Sequence, residues 1–264
     1  MKILITGQRG FIGRHLTGSL THEDKVVDGW DIKKGKDIFA YTFDKAVKEA
    51  DVVYHLAALT SVDQSFRNPD EVFMTNVLGT ARVAYLCAKY KKKLIYPSSA
   101  AVYHPELSPY AKSKWLAEEI VKGIMKTTPV VILRLYNVFG KGMNKESGSI
   151  MYNFLYDNKL TIYGDGEQTR DYIHVQDIIS IMKDCLKKKW NGKIIDVGSG
   201  EALSTNFIAG LFAFYRKKKL FYKEPRREIK WSIANTSMLK TLYKKPLTTD
   251  IQNNIKELVY GTKL

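Results

Sequence analysis

Lys2-Ile3-Leu4-Ile5-Thr6-Gly7-Gln8-Arg9-Gly10-Phe11-Ile12-Gly13 opens the chain with an apolar run that passes straight into three glycines. The run reads as a buried strand and the glycines as a turn into a helix. In such a unit the first glycine allows the tight turn and the second lets backbone N–H groups approach a pyrophosphate. The third lets the helix pack closely with its N-terminus facing the anion. The expectation is a dinucleotide site, NAD or NADP, held by Gly7, Gly10, Phe11, Ile12 and Gly13. The spacing is G-x-x-G-x-x-G rather than G-x-G-x-x-G, so an ordinary glycine-rich turn is the competing reading until context is added.

Phe11, Ile12, Leu16 and Leu20 recur at helical spacing, and Val26-Val27-Asp28-Gly29-Trp30 reads as a second strand that ends at Asp31. A carboxylate at that point accepts hydrogen bonds from the adenosine 2′-OH and repels a 2′-phosphate, which favours NAD. Lys33 and Lys34 follow closely and soften that preference; a solvated strand-end acid is the plainer alternative for Asp31. Further strands are expected over 51–58, 94–99 and 130–135, with helices over 71–90 and from Pro109 onward. This alternation predicts an α/β fold, a doubly wound parallel sheet of Rossmann type, over residues 1–136. Beyond Asn137 the alternation fades. Residues 137–264 are expected to form mainly a small α/β substrate lobe, with about 170–198 returning to the first domain.

The chain has 264 residues, 45% of them hydrophobic, enough for a sizeable core. No apolar run reaches the roughly 18 to 20 residues that cross a bilayer, and no targeting segment is recognised, so a soluble cytoplasmic protein is expected. Cys87 and Cys185 lie in apolar helical patterns without ligand-like spacing and read as reduced core thiols; no metal site is expected. The net charge of +15 raises nucleic acid as a partner. The lysines instead fall in scattered clusters, 91–93, 187–189 and 217–219, near predicted helix ends, where cations complement the helix dipole. Neither nucleic acid nor membrane is therefore expected as a partner.

Tyr110 and Lys114 are four apart on the helix opened by Pro109 and share a face, so the ammonium is expected to hold the phenol near ionisation while also meeting a cofactor ribose. The same spacing recurs at Tyr41/Lys45, Tyr85/Lys89 and Tyr215/Lys219, so position has to decide. Only Tyr110 follows the strand end Ser98-Ser99 and begins its own helix, at the carboxyl edge of the sheet where ligands bind. Ser99 is placed to share a substrate oxygen with Tyr110; a strand-to-loop cap is its structural alternative.

With these motifs in order the chain resembles the extended short-chain dehydrogenase/reductase superfamily, and within it the NAD-dependent nucleotide-sugar epimerases and dehydratases. The resemblance also rests on Asp37-Ile38, His55-Leu56-Ala57-Ala58, Asn76-Val77-Leu78-Gly79-Thr80, Ser98 to Tyr103 and Arg134 to Gly140. Later motifs are Tyr163-Gly164-Asp165-Gly166, Arg170 to Val175 with Asp177, and Asp196-Val197-Gly198-Ser199-Gly200. It implies that Asp37 and Ile38 meet the adenine, that Leu56, Ala57 and Ala58 line the pyrophosphate and ribose path, and that Asn76 supports the strand ends. It further implies that Asn137 and Arg170 bind a nucleotide diphosphate, with Arg226 or Arg227 as a second clamp.

Family dehydratases resemble Thr-Asp-Glu after the strand serine, decarboxylases carry a glutamate there and 3,5-epimerases a cysteine; this chain has Ala100-Ala101. The resemblance therefore implies a nucleotide-sugar 4-epimerase working through a transient 4-keto sugar, with Ser99, Tyr110 and Lys114 catalytic and NAD regenerated in each cycle. A keto-sugar reductase or dehydrogenase is one alternative, and a non-catalytic dinucleotide-binding protein another. Two departures stand out. Tyr110 comes seven positions after Tyr103, a short connection for the family, and His104 replaces its glycine. A homodimer is expected through the Tyr110 helix and the one before it, with Trp115, Val121 and Ile124 either on that face or in the core.

Overall fold

The computed structural model describes residues 1–21, 26–145, 148–226 and 228–261. Its strands are β1 Lys2–Thr6, β2 Val26–Trp30, β3 Val52–His55, β4 Lys93–Ser99, β5 Val130–Leu135, β6 Asn137–Phe139, β7 Leu160–Tyr163, β8 Thr169–Arg170, β9 Tyr172–His174, β10 Lys193–Val197, β11 Leu203–Ser204, β12 Leu220–Lys223 and β13 Trp231–Ser232. The helices are α1 Phe11–Thr21, α2 Tyr41–Glu49, α3 Val62–Arg67, α4 Pro69–Phe73, α5 Gly79–Lys89, α6 Pro109–Ile124, α7 Ile150–Tyr156, α8 Val175–Asp184, α9 Thr205–Arg216, α10 Ser237–Leu242 and α11 Ile251–Tyr260. A π-turn over Met74–Leu78 joins α4 to α5.

Two compact units divide the chain: Met1–Arg134 with Ile179–Ile195, and Leu135–Ile178 with Asp196–Leu264. The main sheet is parallel and has six strands in the order β10-β5-β4-β3-β1-β2. Register is set from β1, where Ile3 pairs with Val27 and with Val52, and continues through Val53 opposite Leu94. The strands alternate between two buried faces. On one, Leu4, Val53, Leu94, Tyr96, Val130 and Ile132 form a continuous cluster with Phe43 and Val47 of α2, Val83 and Cys87 of α5, and Ala117 and Val121 of α6. On the other, Ile3, Ile5, Tyr54, Ile95, Val131 and Leu133 are buried as well, and the Tyr54 hydroxyl donates to the Met182 carbonyl of α8 at 2.9 Å. Burial on both sides is what a parallel sheet requires, and each large aliphatic side chain so buried contributes about 1.5–3 kcal/mol. Burial also pushes the Cys87 thiol up to about 12 and raises that of Cys185, so neither is a thiolate.

β3 ends at His55, short of the expected Ala58, and residues 56–60 form the loop that follows it. Val121 and Ile124 belong to the core rather than to a free face, Val121 within the buried cluster and Ile124 packed against it.

The second unit is made of short pieces. β6 pairs in parallel with β9, β7 in parallel with β12, and β8 lies between antiparallel β11 and parallel β13. Two buried carboxylates tie these pieces together. Asp171 accepts from the Ser199 N–H and hydroxyl and from the Gly200 and Ala234 N–H groups at 2.7–3.1 Å. Asp177 accepts from the Thr248 N–H and from the hydroxyls of Thr248 and Thr249 at 2.6–2.8 Å.

Candidate active site

The glycine turn is built by contact. Gly7 adopts φ +67°, and a Cβ there would lie 2.6 Å from the Ala57 nitrogen and 2.7 Å from the Leu56 oxygen. A Cβ at Gly13 would sit 2.2 Å from the Gly7 carbonyl oxygen, so only glycine lets α1 start flush against the turn. The Gly7 N–H donates to the Trp30 carbonyl at 2.7 Å, the Gly10 N–H to Gly7 at 3.0 Å and the Arg14 N–H to Gly10 at 3.1 Å. The leading N–H groups of a helix lack intrahelical partners and carry the positive end of its dipole; here they belong to the segment Gly10-Phe11-Ile12-Gly13. At the end of β2, Asp31 is only 8% exposed. One carboxylate oxygen accepts the Arg9 N–H at 2.8 Å and the other the Lys33 N–H at 2.9 Å, which fastens the acid beside the turn.

The loop after β3 is held from both ends. Thr6 Oγ1 accepts the Ala57 N–H at 3.2 Å and is hydrogen-bonded to His55 Nδ1 at 2.7 Å, while His55 Nε2 meets Thr80 Oγ1 at 3.0 Å. Burial, with help from the Lys114 charge, pushes His55 down to about 3, so the ring is neutral and structural. Farther along, Asn76 in the π-turn donates to the Leu59 carbonyl and the Ser113 hydroxyl and accepts the Leu59 N–H, each at 2.9 Å. Ser113 donates in turn to the Tyr110 carbonyl at 2.7 Å. One buried amide thus couples the loop of Leu56, Ala57 and Ala58 to the helix of Tyr110. Asp37 and Ile38 are placed differently from each other: Asp37 accepts the Phe39 N–H at 2.9 Å, whereas Ile38 turns its side chain into the core cluster.

Ser108 caps α6 by accepting the Ala111 N–H at 3.0 Å, and Pro109 occupies the first turn, which sets Tyr110 at the start of the helix. Ser99 ends β4; its oxygen accepts the Ala101 N–H at 3.2 Å. Burial raises the Tyr110 phenol above its ordinary range, and the nearby Ser99 hydroxyl pulls the other way. Lys114, 4% exposed, donates to the Pro97 carbonyl at 2.8 Å and lies 4.5 Å over the Tyr96 ring. Burial pushes its ammonium down to about 7, with Glu118 opposing. The expected pull of Lys114 on the phenol is therefore not what sets Tyr110 in this arrangement, because the lysine is itself desolvated and bound to a backbone carbonyl. The other spaced pairs are elsewhere: Tyr41 is 92% and Tyr85 63% exposed.

Two residues to which the sequence pattern assigns no role, Glu118 and Arg134, meet behind the site. Glu118, 1% exposed, lies one turn beyond Lys114; it accepts from Ser98 at 2.7 Å, from Lys122 at 3.0 Å and from Arg134 at 2.6 Å. Burial drives this carboxyl up, but those hydrogen bonds outweigh it and hold it below the usual range. Arg134 also donates to the Tyr103 hydroxyl at 2.7 Å. The signal for Glu118 was an acid four residues after Lys114 on a helix face that otherwise buries apolar groups. His104 pairs with Glu106 at 3.6 Å on the exposed loop.

In the second unit, Asn137 donates through its side chain to the Asp171 carbonyl at 2.9 Å. The Arg170 guanidinium is engaged by the Glu228 carboxylate at 2.6 Å and by the carbonyls of Thr169 and Ile229 at 2.8 and 2.7 Å. Arg226 lies 3.4 Å over the Tyr163 ring, and Arg227 lies outside the described residues.

Residues 3–198 match the model of the NAD dependent epimerase/dehydratase family. The chain belongs to that family. It is accordingly an enzyme of this group, with NAD as its cofactor. Its relatives span several chemistries. It is 31% identical to the dTDP-D-glucose 4,6-dehydratase of Dictyostelium discoideum over 79% of its own length, spanning 60% of that protein. It is 29% identical to a UDP-N-acetyl-alpha-D-glucosaminuronate decarboxylase of Bacillus cytotoxicus, over 79% of this chain and 78% of the relative. Among solved structures it is 27% identical to the UDP-glucuronic acid 4-epimerase of Bacillus cereus in complex with UDP-glucuronic acid and NAD, with a TM-score of 0.87 and 99% of both chains covered.

Proposed function

We propose that the protein is a nucleotide-sugar 4-epimerase that inverts carbon 4 of a hexose bound to a nucleoside diphosphate through a transient 4-keto sugar. The observation that carries this reading is the segment next to the Ser99–Tyr110 pair. It is a short 3-10 turn, Ala100–Tyr103, capped by Ser99 itself, and its first two side chains are methyl groups. By the family resemblance, dehydratases place an acid and a base beside the sugar, decarboxylases a glutamate and 3,5-epimerases a cysteine, and Ala100 and Ala101 supply none of these. Inversion at carbon 4 needs only a proton acceptor, a group that orients the oxygen, and a redox partner.

NAD fits the first unit, because the Gly7–Gly13 contacts leave no room for any Cβ and Asp31 is fixed beside them. In this reading the backbone of Gly7, Gly10, Phe11, Ile12 and Gly13 takes the pyrophosphate, and Asp31 takes the adenosine ribose. Asp37 and the backbone of Ile38 lie toward the adenine, Leu56 to Ala58 with Asn76 line the ribose path, and Lys114 and Tyr110 meet the nicotinamide ribose. When bound there, NAD would supply the hydride acceptor and donor that the reaction needs. Tyr110 receives the hydroxyl proton while Ser99 holds the oxygen; the 4-keto sugar then turns over so that carbon 4 is reduced on its opposite face, and Tyr110 gives the proton back to the oxygen. Lys114, releasing the Pro97 carbonyl, supplies the positive charge that brings the raised phenol down when the ligand enters. Asn137 and Arg170 take the diphosphate, Arg170 exchanging the Glu228 carboxylate for phosphate oxygens.

The exposed apolar side chains of Met74, Leu78 and Tyr85 share the stretch just before the Tyr110 helix. They support a homodimer formed there with a second copy. Two buried free thiols support a reducing, cytoplasmic setting. The decisive experiment incubates the protein with UDP- and dTDP-linked hexoses in deuterium oxide and follows product mass and stereochemistry. A 4-epimer of unchanged mass is expected. Loss of water or carbon dioxide, deuterium uptake, or stoichiometric consumption of cofactor overturns the reading in favour of a dehydratase, a decarboxylase, a 3,5-epimerase or a reductase respectively.

A further inference from the structure

The ends of three helices in the second unit frame a cavity of about 690 Å³, inside the range of about 300–1,000 Å³ usual for small-ligand sites. No residue of its lining takes part in the readings above. Tyr156 is the last residue of α7, Arg216 follows Tyr215 at the end of α9, and Tyr260 is the last residue of α11, next to buried Val259. The Tyr215 and Tyr260 rings meet edge to face at 6.0 Å and 71°. Tyr260 is nonetheless 67% exposed and Tyr156 41%, so large aromatic faces stand open to solvent.

Converging helix C-termini concentrate carbonyl groups and the negative ends of three dipoles, which by themselves favour a cation. The chain fills that role with its own side chains. Arg216 Nη1 donates to the carbonyls of Phe154 and Asp157 at 2.6 and 2.8 Å, and Lys218 Nζ to the carbonyl and side-chain oxygen of Asn158 at 3.3 and 3.2 Å. These contacts leave Arg216 Nε without a hydrogen-bond partner among the described residues, and the oxygens that Lys218 meets are neutral. No carboxylate lines the cavity; Asp157, whose charge reaches Arg216, lies outside the lining. Lys217 and Lys219 flank Lys218, so the basic run over 217–219 adds further positive potential here.

Open tyrosine faces and incompletely neutralised cations around one cavity fit a flat ring that carries an anion. A cation would be repelled by Arg216 and Lys218, and a bare anion would leave the tyrosine faces in water. We propose that this cavity is a second nucleotide site, which takes a nucleoside phosphate with its base against Tyr215 and Tyr260 and its phosphate on Lys218 and Arg216. Its residues are none of those assigned to the dinucleotide or to the sugar nucleotide. Stacking on tyrosine tolerates any base, so the site selects a phosphate joined to a flat ring rather than one nucleobase. Because the cations are near the surface, the phosphate contribution weakens as salt rises.

Photolabelling of the full chain with 8-azidoadenosine 5′-monophosphate, read peptide by peptide by mass spectrometry, tests it. Label is expected on peptides that carry Tyr215 or Tyr260, saturating as the probe is raised. 5′-AMP should displace that label at concentrations at least about tenfold below those needed of adenosine or of ribose 5-phosphate. Lys218→Ala and Tyr260→Leu alter side chains at the surface, and each should raise the half-saturating concentration at these peptides about tenfold or more. Labelling of the glycine-turn peptides should move less than about threefold in either variant. Label confined to the glycine-turn peptides, or label at Tyr215 and Tyr260 that never saturates, overturns the proposal and leaves the cofactor reading intact. Displacement by ribose 5-phosphate as strong as by 5′-AMP overturns it as well, since the site would then be a plain anion site. Equal displacement by adenosine does the same, leaving only an aromatic patch. Absence of label from the glycine-turn peptides alone would instead strike the cofactor reading.

Discussion

The two units differ in how their charged side chains are left. In the first, Ser99, Tyr110, Lys114 and the glycine turn are assembled by short-range devices: a helix cap at Ser108, a strand end at Ser99, and the Gly7–Gly13 contact. In the second, the principal anion-binding candidate is already occupied, because Arg170 has a carboxylate and two carbonyls on its fork. On the proposed reading, the lesson is that the glycine turn of the first unit is ready for its cofactor as folded, whereas Arg170 of the second exchanges partners before it takes a diphosphate.

Filling the glycine turn should break the first half of that comparison most severely. Gly13→Ala places a methyl 2.2 Å from the Gly7 oxygen. NAD binding by calorimetry is expected to fall by roughly 100-fold, overpacking of this kind costing about 1–3 kcal/mol. Unchanged affinity would show that the turn is not the cofactor cradle.

Of similar size is the effect expected at the buried pair behind the site. Glu118→Gln leaves Arg134 facing a neutral amide at a position 1% exposed, and a loss of about 3 kcal/mol in denaturant unfolding is expected. A loss below about 1 kcal/mol would mean the pair is solvated like a surface bridge.

Lys114 gives a pH signature. Its folded pKa of about 7 lies below the 10.5 of an unfolded lysine. Between those values the unfolded chain binds the extra proton, so stability rises with pH across the window, and the cost of burying the charge is fully present below about 7. Lys114→Met should flatten that part of the stability curve; an unchanged slope would show that Lys114 is charged in the fold.

The smallest effect sharpens the comparison from the other side. Glu228→Gln releases the Arg170 fork, and because Glu228 is partly exposed the gain is modest. UDP should bind about threefold tighter, in line with an exposed ion pair of about 0.2–1 kcal/mol. Weaker binding would make Glu228 a support for Arg170 rather than its competitor.

What could be read in advance follows the same division. The glycine spacing, Asp31 at a strand end and Tyr110 after Pro109 are local patterns, and local geometry decides where those residues sit. The stripe of Val121 and Ile124 was ambiguous, since apolar helical spacing does not tell a core face from an interface. Glu118 escaped notice because its partners Ser98 and Arg134 lie 20 and 16 residues away on two strands. Asp171 and Asp177 likewise receive hydrogen bonds from residues as far as 63 and 72 positions on, and Glu228 reaches Arg170 across 58. No period or cap marks such contacts; only the fold brings them together.

The account turns on the phenol of Tyr110 as the group that carries the proton. The most direct measurement compares Tyr110→Phe with the unaltered protein in one preparation, reading NAD affinity by calorimetry and sugar turnover by product stereochemistry. The account predicts NAD affinity unchanged within about threefold and turnover reduced by about 10²–10⁴-fold, the scale of a lost general acid and base. Turnover near that of the unaltered protein would contradict it.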